Sequence, residues 1–253
     1  MTPSDPDAPL LPPESSVIYE PPVASWGWPF WTYQDLAIFI SLAFPSLVVS
    51  VLAVRALASL WPIGKAFEAL LAQLLWYALV FTALYLLLHL RYGQPFWRSL
   101  GWAAPFRGAN LSFLAGPFLA IGISYIGYII RTPEIQIPFQ QMLEDRPTKI
   151  LFSIFAVVLG PLCEELAFRG FLMPLLVRSL GAIAGVVLTG LLFGGLHAVE
   201  YQWSWKHVLL ISTAGTVFGW VRYRTGSTAA STFMHSSYNL TQLVAFLSQS
   251  KAS

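Results

Sequence analysis

Apolar residues dominate the chain in long runs that short polar or proline-containing segments separate. Seven such runs are present, at residues 36–54, 66–90, 111–130, 151–177, 181–197, 207–223 and 228–248. A helix needs roughly 20 apolar residues to cross the hydrocarbon core of a bilayer. The pattern therefore predicts an all-α fold, a polytopic membrane bundle of about seven transmembrane helices. Because 181–197 is short and 92–106 can form an extra interfacial helix, the predicted range is six to eight.

Composition agrees with a membrane protein. Of the 253 residues, 56% are hydrophobic and only 10% are charged, against about 25% charged residues in soluble domains. The net charge is +2, and no block of four or more Lys and Arg residues occurs, which argues against a nucleic-acid partner. We therefore expect a multi-pass integral protein of the cell membrane that is in contact with the lipid bilayer.

The pattern divides the chain into three parts. Residues 1–33 contain eight of the 18 prolines and four carboxylates but no Lys or Arg, a composition that predicts a disordered tail without a cleavable signal peptide. The tail ends in an aromatic cluster around Trp31, which suits either the headgroup boundary or core packing. Residues 34–109 would hold the first two helices and an interfacial loop, and residues 110–248 a second helical bundle.

Three ionisable residues interrupt the apolar run 151–177, namely Glu164, Glu165 and Arg169. Each unpaired charge at the centre of a membrane helix costs roughly 2.5–3.5 kcal/mol, so such a cluster indicates a functional site facing the protein interior. On a helix Glu165 and Arg169 stand at i and i+4, the favourable order for an ion pair. Glu164 points about 100° away and stays free to act as a general base or acid.

Two further motifs place polar residues inside apolar runs. Phe193 and His197 share one helix face, and His235 and Asn239 share another, each pair at i, i+4 spacing. At a rise of 1.5 Å per residue, these polar groups and Glu164 lie about 15–24 Å from their helix ends, so they can meet at one level. A lone histidine in a membrane helix is usually a packing residue. Several polar groups at the same depth, however, each need a hydrogen-bond partner and can serve as partners for one another.

Other polar residues suggest no role. His89, His207 and Glu200 lie at or near helix ends, beside charged or aromatic residues, where solvated side chains are expected. Cys163 lies in an apolar stretch, and a thiol buried in apolar surroundings is normally inert. Small residues four apart in the fifth and sixth runs indicate close helix packing, at Gly181/Gly185, Gly190/Gly194 and Gly215/Gly219.

Three motifs on successive helices resemble the CPBP family, which groups CAAX prenyl protease 2 with bacteriocin-processing and self-immunity proteins. The motifs are Glu164-Glu-x-x-x-Arg169, Phe193-x-x-x-His197 and His235-x-x-x-Asn239. The resemblance covers roughly residues 110–245. It implies an all-helical intramembrane endopeptidase in which Glu165 and Arg169 support the site.

The same resemblance implies the catalytic roles. Glu164 and His197 would activate water, and His235 and Asn239 would hold the oxyanion. The residue types agree, because peptide hydrolysis needs a base, an acid and fixed oxyanion donors. The substrate would be a membrane protein or peptide, and the resemblance does not require a prenyl group on it.

Other functions stay open. His197, His235 and Glu164 would also make a His₂Glu zinc set, but no His-Glu-x-x-His motif occurs, so a glutamate-type protease without metal or other cofactor is favoured over a zinc-dependent one. A proton-coupled transporter also uses buried Glu, His and Arg, although no motif is repeated in the chain. A non-catalytic immunity protein is the remaining alternative.

Overall fold

The structure is a computed structural model that describes residues 28–61, 63–102, 109–135 and 146–249. Its described residues form helices and no strand: α1 (Tyr33–Leu60), α2 (Lys65–Tyr92), α3 (Phe96–Ser99), α4 (Ala109–Ile129), α5 (Arg146–Ile154), π1 (Phe155–Leu159), α6 (Gly160–Glu165), π2 (Leu166–Leu172), α7 (Met173–Leu180), α8 (Ala182–Leu196), α9 (Trp205–Thr225) and α10 (Thr228–Gln249).

Among the residues that the structure describes, four helices are long and apolar enough to cross a membrane: Tyr33–Leu60, Lys65–Tyr92, Asn110–Ile129 and Thr148–Leu180. The last of them joins α5, π1, α6, π2 and α7 end to end. The helix α8 is apolar but only 15 residues long, and α10 carries many buried hydroxyl side chains. The predicted polytopic all-helical fold is confirmed. The short α3 lies inside 92–106, where an interfacial helix was predicted.

The segment before α1 packs into the bundle. Trp31 is fully buried, its ring stacks on Phe171 at 5.4 Å, and its Nε1 donates to the Phe171 carbonyl at 3.0 Å. Arg178 adds a hydrogen bond to the Pro29 carbonyl at 2.6 Å. Trp31 is thus a core residue, and the tail predicted to reach residue 33 is already packed from residue 28. Residues 1–27 lie outside the described part of the chain.

The helices α8 and α9 touch through glycines, as their spacing predicted. A Cβ atom on Gly190 would lie 2.7 Å from Thr216 N, and one on Gly194 would lie 2.7 Å from Ser212 N. Real side chains do not approach backbone atoms so closely, so only glycine permits this packing. The contact fixes the end of α8, where His197 follows.

Two π-helical segments flank α6, and the apolar pattern does not predict them. Each ends shortly before a proline: π1 before Pro161 and π2 before Pro174. Proline has no N–H and clashes with the preceding turn, so the helix widens there instead of continuing regularly. Because π segments alter which side chains share a face, they set the directions of Glu164 and Glu165.

Candidate active site

The four residues predicted as catalytic line one cavity of about 790 Å³. Glu164 comes from α6, His197 from the residue after α8, and His235 and Asn239 from α10. The volume lies within the range typical of small-molecule and peptide-side-chain sites, about 300–1,000 Å³. The structure therefore brings together residues that are up to 75 positions apart in sequence.

Glu165 and Arg169 form the ion pair that their spacing predicted, and both are fully buried. Arg169 Nη1 lies 2.9 Å from Glu165 Oε1, and Nη2 donates to the Gly215 carbonyl at 2.6 Å. The guanidinium also lies over the ring of Phe193, with its carbon 4.5 Å from the centroid. The carboxylate, the carbonyl and the aromatic face together offset the desolvation cost of burying the Arg169 cation.

Glu165 has a second partner that the sequence did not predict. His235 Nδ1 lies 3.0 Å from the same Glu165 Oε1, so one oxygen joins Arg169 to the cavity. Because a carboxylate accepts, Nδ1 carries a hydrogen. On the other side of the ring, Nε2 lies 3.8 Å from Glu164 Oε2. Phe218 stacks on the imidazole at 4.5 Å and fixes its plane.

His197 is oriented by its own helix. Its Nδ1 lies 2.8 Å from the carbonyl oxygen of Phe193, which can only accept, so Nδ1 again carries the hydrogen. In the neutral ring the lone pair is then on Nε2, the arrangement a general base requires. The i, i+4 spacing of this motif is thus a hydrogen bond as well as a shared face.

Asn239 is held by the first π segment. Its Nδ2 donates to the carbonyl of Ala156 at 2.9 Å. In π1, Gly160 N–H bonds the carbonyl of Phe155, and Pro161, the next candidate donor for Ala156, has no N–H. Asn239 supplies the missing donor, and its second amide hydrogen remains for another acceptor.

Arginine, glutamate and histidine side chains that were not predicted there also line the cavity, namely Arg131, Glu200 and His207. The sequence placed Glu200 and His207 in solvated positions at helix ends. For Glu200 the sequence did offer one signal. It lies only three residues after His197, close enough in the chain to reach the same site. His207 Nδ1 lies 2.9 Å from Ser204 Oγ.

A protein-bound metal ion needs several ligating side chains close together. Within the described ranges, no three His, Cys, Asp or Glu side chains are grouped so that they could hold one. His197 and His235 each direct Nδ1 to an acceptor within the protein. A metal would therefore have to take Nε2 of both rings together with Glu164.

Residues 146–241 match the family model Rce1-like, described as type II CAAX prenyl endopeptidase Rce1-like. The matched range contains all three motifs and lies within the predicted range of 110–245, so the match confirms the resemblance. Comparison with curated proteins finds no significant match, and comparison with solved structures finds none either.

Proposed function

Because residues 146–241 match the Rce1-like family model of type II CAAX prenyl endopeptidases, we propose that this chain is a protease of that family. It would hydrolyse a peptide bond of a membrane-associated protein or peptide at Glu164 and His197. One observation carries the proposal: Glu164, His197, His235 and Asn239 line a single cavity in an otherwise apolar bundle. Polar side chains at such a position are rarely kept for structure alone. We place the enzyme in the cell membrane.

The first step is activation of water. Glu164 and His197 hold a water molecule between them, and one of the two removes its proton while the oxygen attacks the scissile carbonyl carbon. The lone pair on His197 Nε2 supports this role, because Nδ1 is committed to Phe193. The proton is then delivered to the nitrogen of the leaving amine as the C–N bond breaks.

The tetrahedral intermediate carries a negative oxygen that needs fixed donors. Asn239 offers the amide hydrogen that Ala156 does not use. His235 donates from Nε2 when its ring holds a proton on each nitrogen, and the carboxylates of Glu165 and Glu164, at 3.0 and 3.8 Å, balance that charge. Arg169 pairs with Glu165 and holds its side chain in place.

The proposed reaction uses no metal. It needs only hydrogen-bond distances between Glu164, His197 and water, whereas zinc needs ligands near 2 Å and an ordered second shell. The absence of a grouped ligand set among the described residues supports this choice. The alternative is a zinc-dependent protease with the same three side chains as ligands.

The test is turnover by the Glu164→Gln variant in proteoliposomes with a quenched fluorescent peptide. Glutamine keeps the shape but is not a base, so we expect cleavage to fall by at least about 10²–10⁴-fold at an unchanged melting temperature. Glu68→Gln is the control, because Glu68 pairs with exposed Lys65 away from the cavity. Retention of more than a few per cent of the activity would exclude Glu164 as the catalyst and favour a non-catalytic role.

A further inference from the structure

Arg222 lies in the last turn of α9 and is only 4% exposed. Its Nε donates to the hydroxyl oxygen of Thr228 at 2.8 Å. The guanidinium carbon lies 5.2 Å from the centroid of the Trp28 ring, and Nη2 lies so close to Gly101 that a Cβ atom there would overlap with it. Arg222 is not a lining residue of the cavity. The proposed hydrolysis therefore leaves this buried cation without a role.

The guanidinium of Arg222 has no anionic partner in the described part of the chain. None of the ion pairs there includes Arg222, and no described acceptor lies within hydrogen-bond distance of Nη1 or Nη2. Both nitrogens reach the molecular surface, because neither is among the buried polar atoms that lack a partner. The loop between Trp102 and Ala109 contains no acid, since its sequence is Ala-Ala-Pro-Phe-Arg-Gly. Burying an unpaired charge is unfavourable, so Arg222 has donors available for an external anion.

The site lies at the end of the bundle where α1 begins and α9 ends. Trp28 Nε1 donates to the Ser99 carbonyl at 3.1 Å, and the Thr228 N–H donates to the Gly101 carbonyl at 3.0 Å. The cations among the described residues at this end are all arginines, namely Arg91, Arg98, Arg178, Arg222 and Arg224. The one acid described there, Asp35, already pairs with Arg91 at 3.2 Å. This end of the bundle therefore carries a net positive charge.

Exposed tryptophans indicate that this end lies at the level of the lipid headgroups. Trp28, Trp97 and Trp220 are all exposed. Tryptophan is enriched at membrane–water interfaces, where the phosphates of phospholipids also lie. A guanidinium binds phosphate through two parallel hydrogen bonds. A phosphate group therefore matches Arg222 in charge, in geometry and in location.

We propose that Arg222 binds a phosphate group at this end of the bundle. Nη1 and Nη2 donate to two phosphate oxygens, while Nε keeps its hydrogen bond to Thr228 and the Trp28 ring covers one face of the guanidinium. Because Thr228 is the first residue of α10, the bound phosphate stabilises the junction of α9 and α10. An anionic phospholipid and free phosphate offer the same group. The site does not depend on the proposed protease function.

The experiment measures thermal unfolding of the full chain in detergent micelles. Phosphatidylglycerol is compared with phosphatidylcholine, and inorganic phosphate is compared with sodium chloride at equal ionic strength. We expect one of the two phosphate sources to raise the melting temperature by at least about 3 °C over its reference, because a ligand that binds only the folded state stabilises it. A rise with phosphatidylglycerol alone identifies a lipid headgroup as the source, whereas a rise with inorganic phosphate identifies free phosphate.

Arg222→Gln should abolish the rise. Arg222→Lys should keep part of it, because lysine retains the charge without the two parallel hydrogen bonds. Arg224→Gln is the matched control, since Arg224 is exposed two residues further along α9 and its substitution removes the same charge; this variant should keep the wild-type rise. If Arg222→Gln does not fold, wild type, Arg222→Lys and Arg224→Gln still provide the comparison.

The absence of a rise in wild type with either phosphate source would overturn the inference. A rise that survives in Arg222→Gln, or that is lost equally in Arg224→Gln, would overturn it as well, because the phosphate would then not bind at Arg222. Carboxylates of residues 1–27 are the competing partner, and they are neutralised in a full-chain variant that carries Asp5→Asn, Asp7→Asn, Glu14→Gln and Glu20→Gln. If that variant lost as much stability as Arg222→Gln while phosphate had no effect on wild type, Arg222 would pair with the N-terminal segment instead.

Discussion

Glu165 and His235 are joined by a hydrogen bond of 3.0 Å between Oε1 and Nδ1, and the same oxygen receives Arg169 Nη1 at 2.9 Å. A single buried carboxylate oxygen therefore connects a structural ion pair to an imidazole at the cavity. Loss of Glu165 would leave a buried cation and an unsupported His235 together. Glu165 therefore contributes to both stability and catalysis. Substitution of Arg169 tests the first contribution, and substitution of His235 tests the second.

The ion pair should dominate stability. Arg169→Met removes the cation and leaves the buried Glu165 carboxylate without its ion-pair partner, at an expected cost of about 3–5 kcal/mol in the free energy of unfolding. Denaturant unfolding in detergent micelles measures this cost. The double variant Glu165→Gln/Arg169→Met should be more stable than Arg169→Met, because it no longer buries an unpaired charge.

Lys65→Met is the control for that measurement. Lys65 pairs with Glu68 at 2.9 Å, but its side chain is 93% exposed, and an exposed pair contributes about 0–1 kcal/mol. If Arg169→Met were no less stable than Lys65→Met, the buried pair would have no structural role.

The proposed oxyanion donors should affect the chemical step. We expect Asn239→Ala and His235→Ala each to lower kcat by about 10²–10³-fold with little change in KM, because these donors act mainly in the transition state. Steady-state kinetics on a fluorescent peptide gives both constants. Gln242→Ala is the control, since Gln242 lines the same cavity but bonds Ser124. A rise in KM alone would reassign the two residues to substrate binding.

Two adjacent glycines of α8, Gly194 and Gly195, differ in how closely other atoms approach them. Gly194→Ala would place a Cβ atom 2.7 Å from Ser212 N, whereas an alanine at Gly195 meets no atom within 4 Å. Thermal unfolding should therefore show a loss of about 1–3 kcal/mol for Gly194→Ala. Gly195→Ala should be neutral or stabilising by up to about 1 kcal/mol, because alanine favours helix. Equal stability of the two variants would contradict the observed contact.

Metal dependence is the remaining prediction. Activity of the purified protein should survive dialysis against a strong chelator, and elemental analysis should find well under one zinc per chain, because the proposed base and donors act without a metal. Adding zinc back after dialysis is the control. Inactivation by the chelator that stoichiometric zinc reverses would recast Glu164, His197 and His235 as metal ligands.

Local features could be predicted from the sequence alone. The length of the apolar runs gave the helices, because a bilayer demands about 20 apolar residues per crossing. The i, i+4 spacing gave the Glu165–Arg169 pair, since both residues lie on one helix and their separation is fixed by its geometry. The glycines four apart gave the close approach of α8 and α9. The three ordered motifs gave the family resemblance, and the family model matches residues 146–241, which contain all three.

Only the tertiary structure decided which faces meet. The Glu165–His235 bond joins residues 70 positions apart, and the Asn239–Ala156 bond spans 83 positions. The latter also requires a π segment, which results from a local conflict between helix continuation and Pro161. The burial of Trp31 and the position of Arg131 on the cavity were likewise decided only by the tertiary structure. Sequence periodicity fixes directions around one helix axis, whereas these contacts depend on how separate helices are rotated against each other, and packing alone sets that rotation.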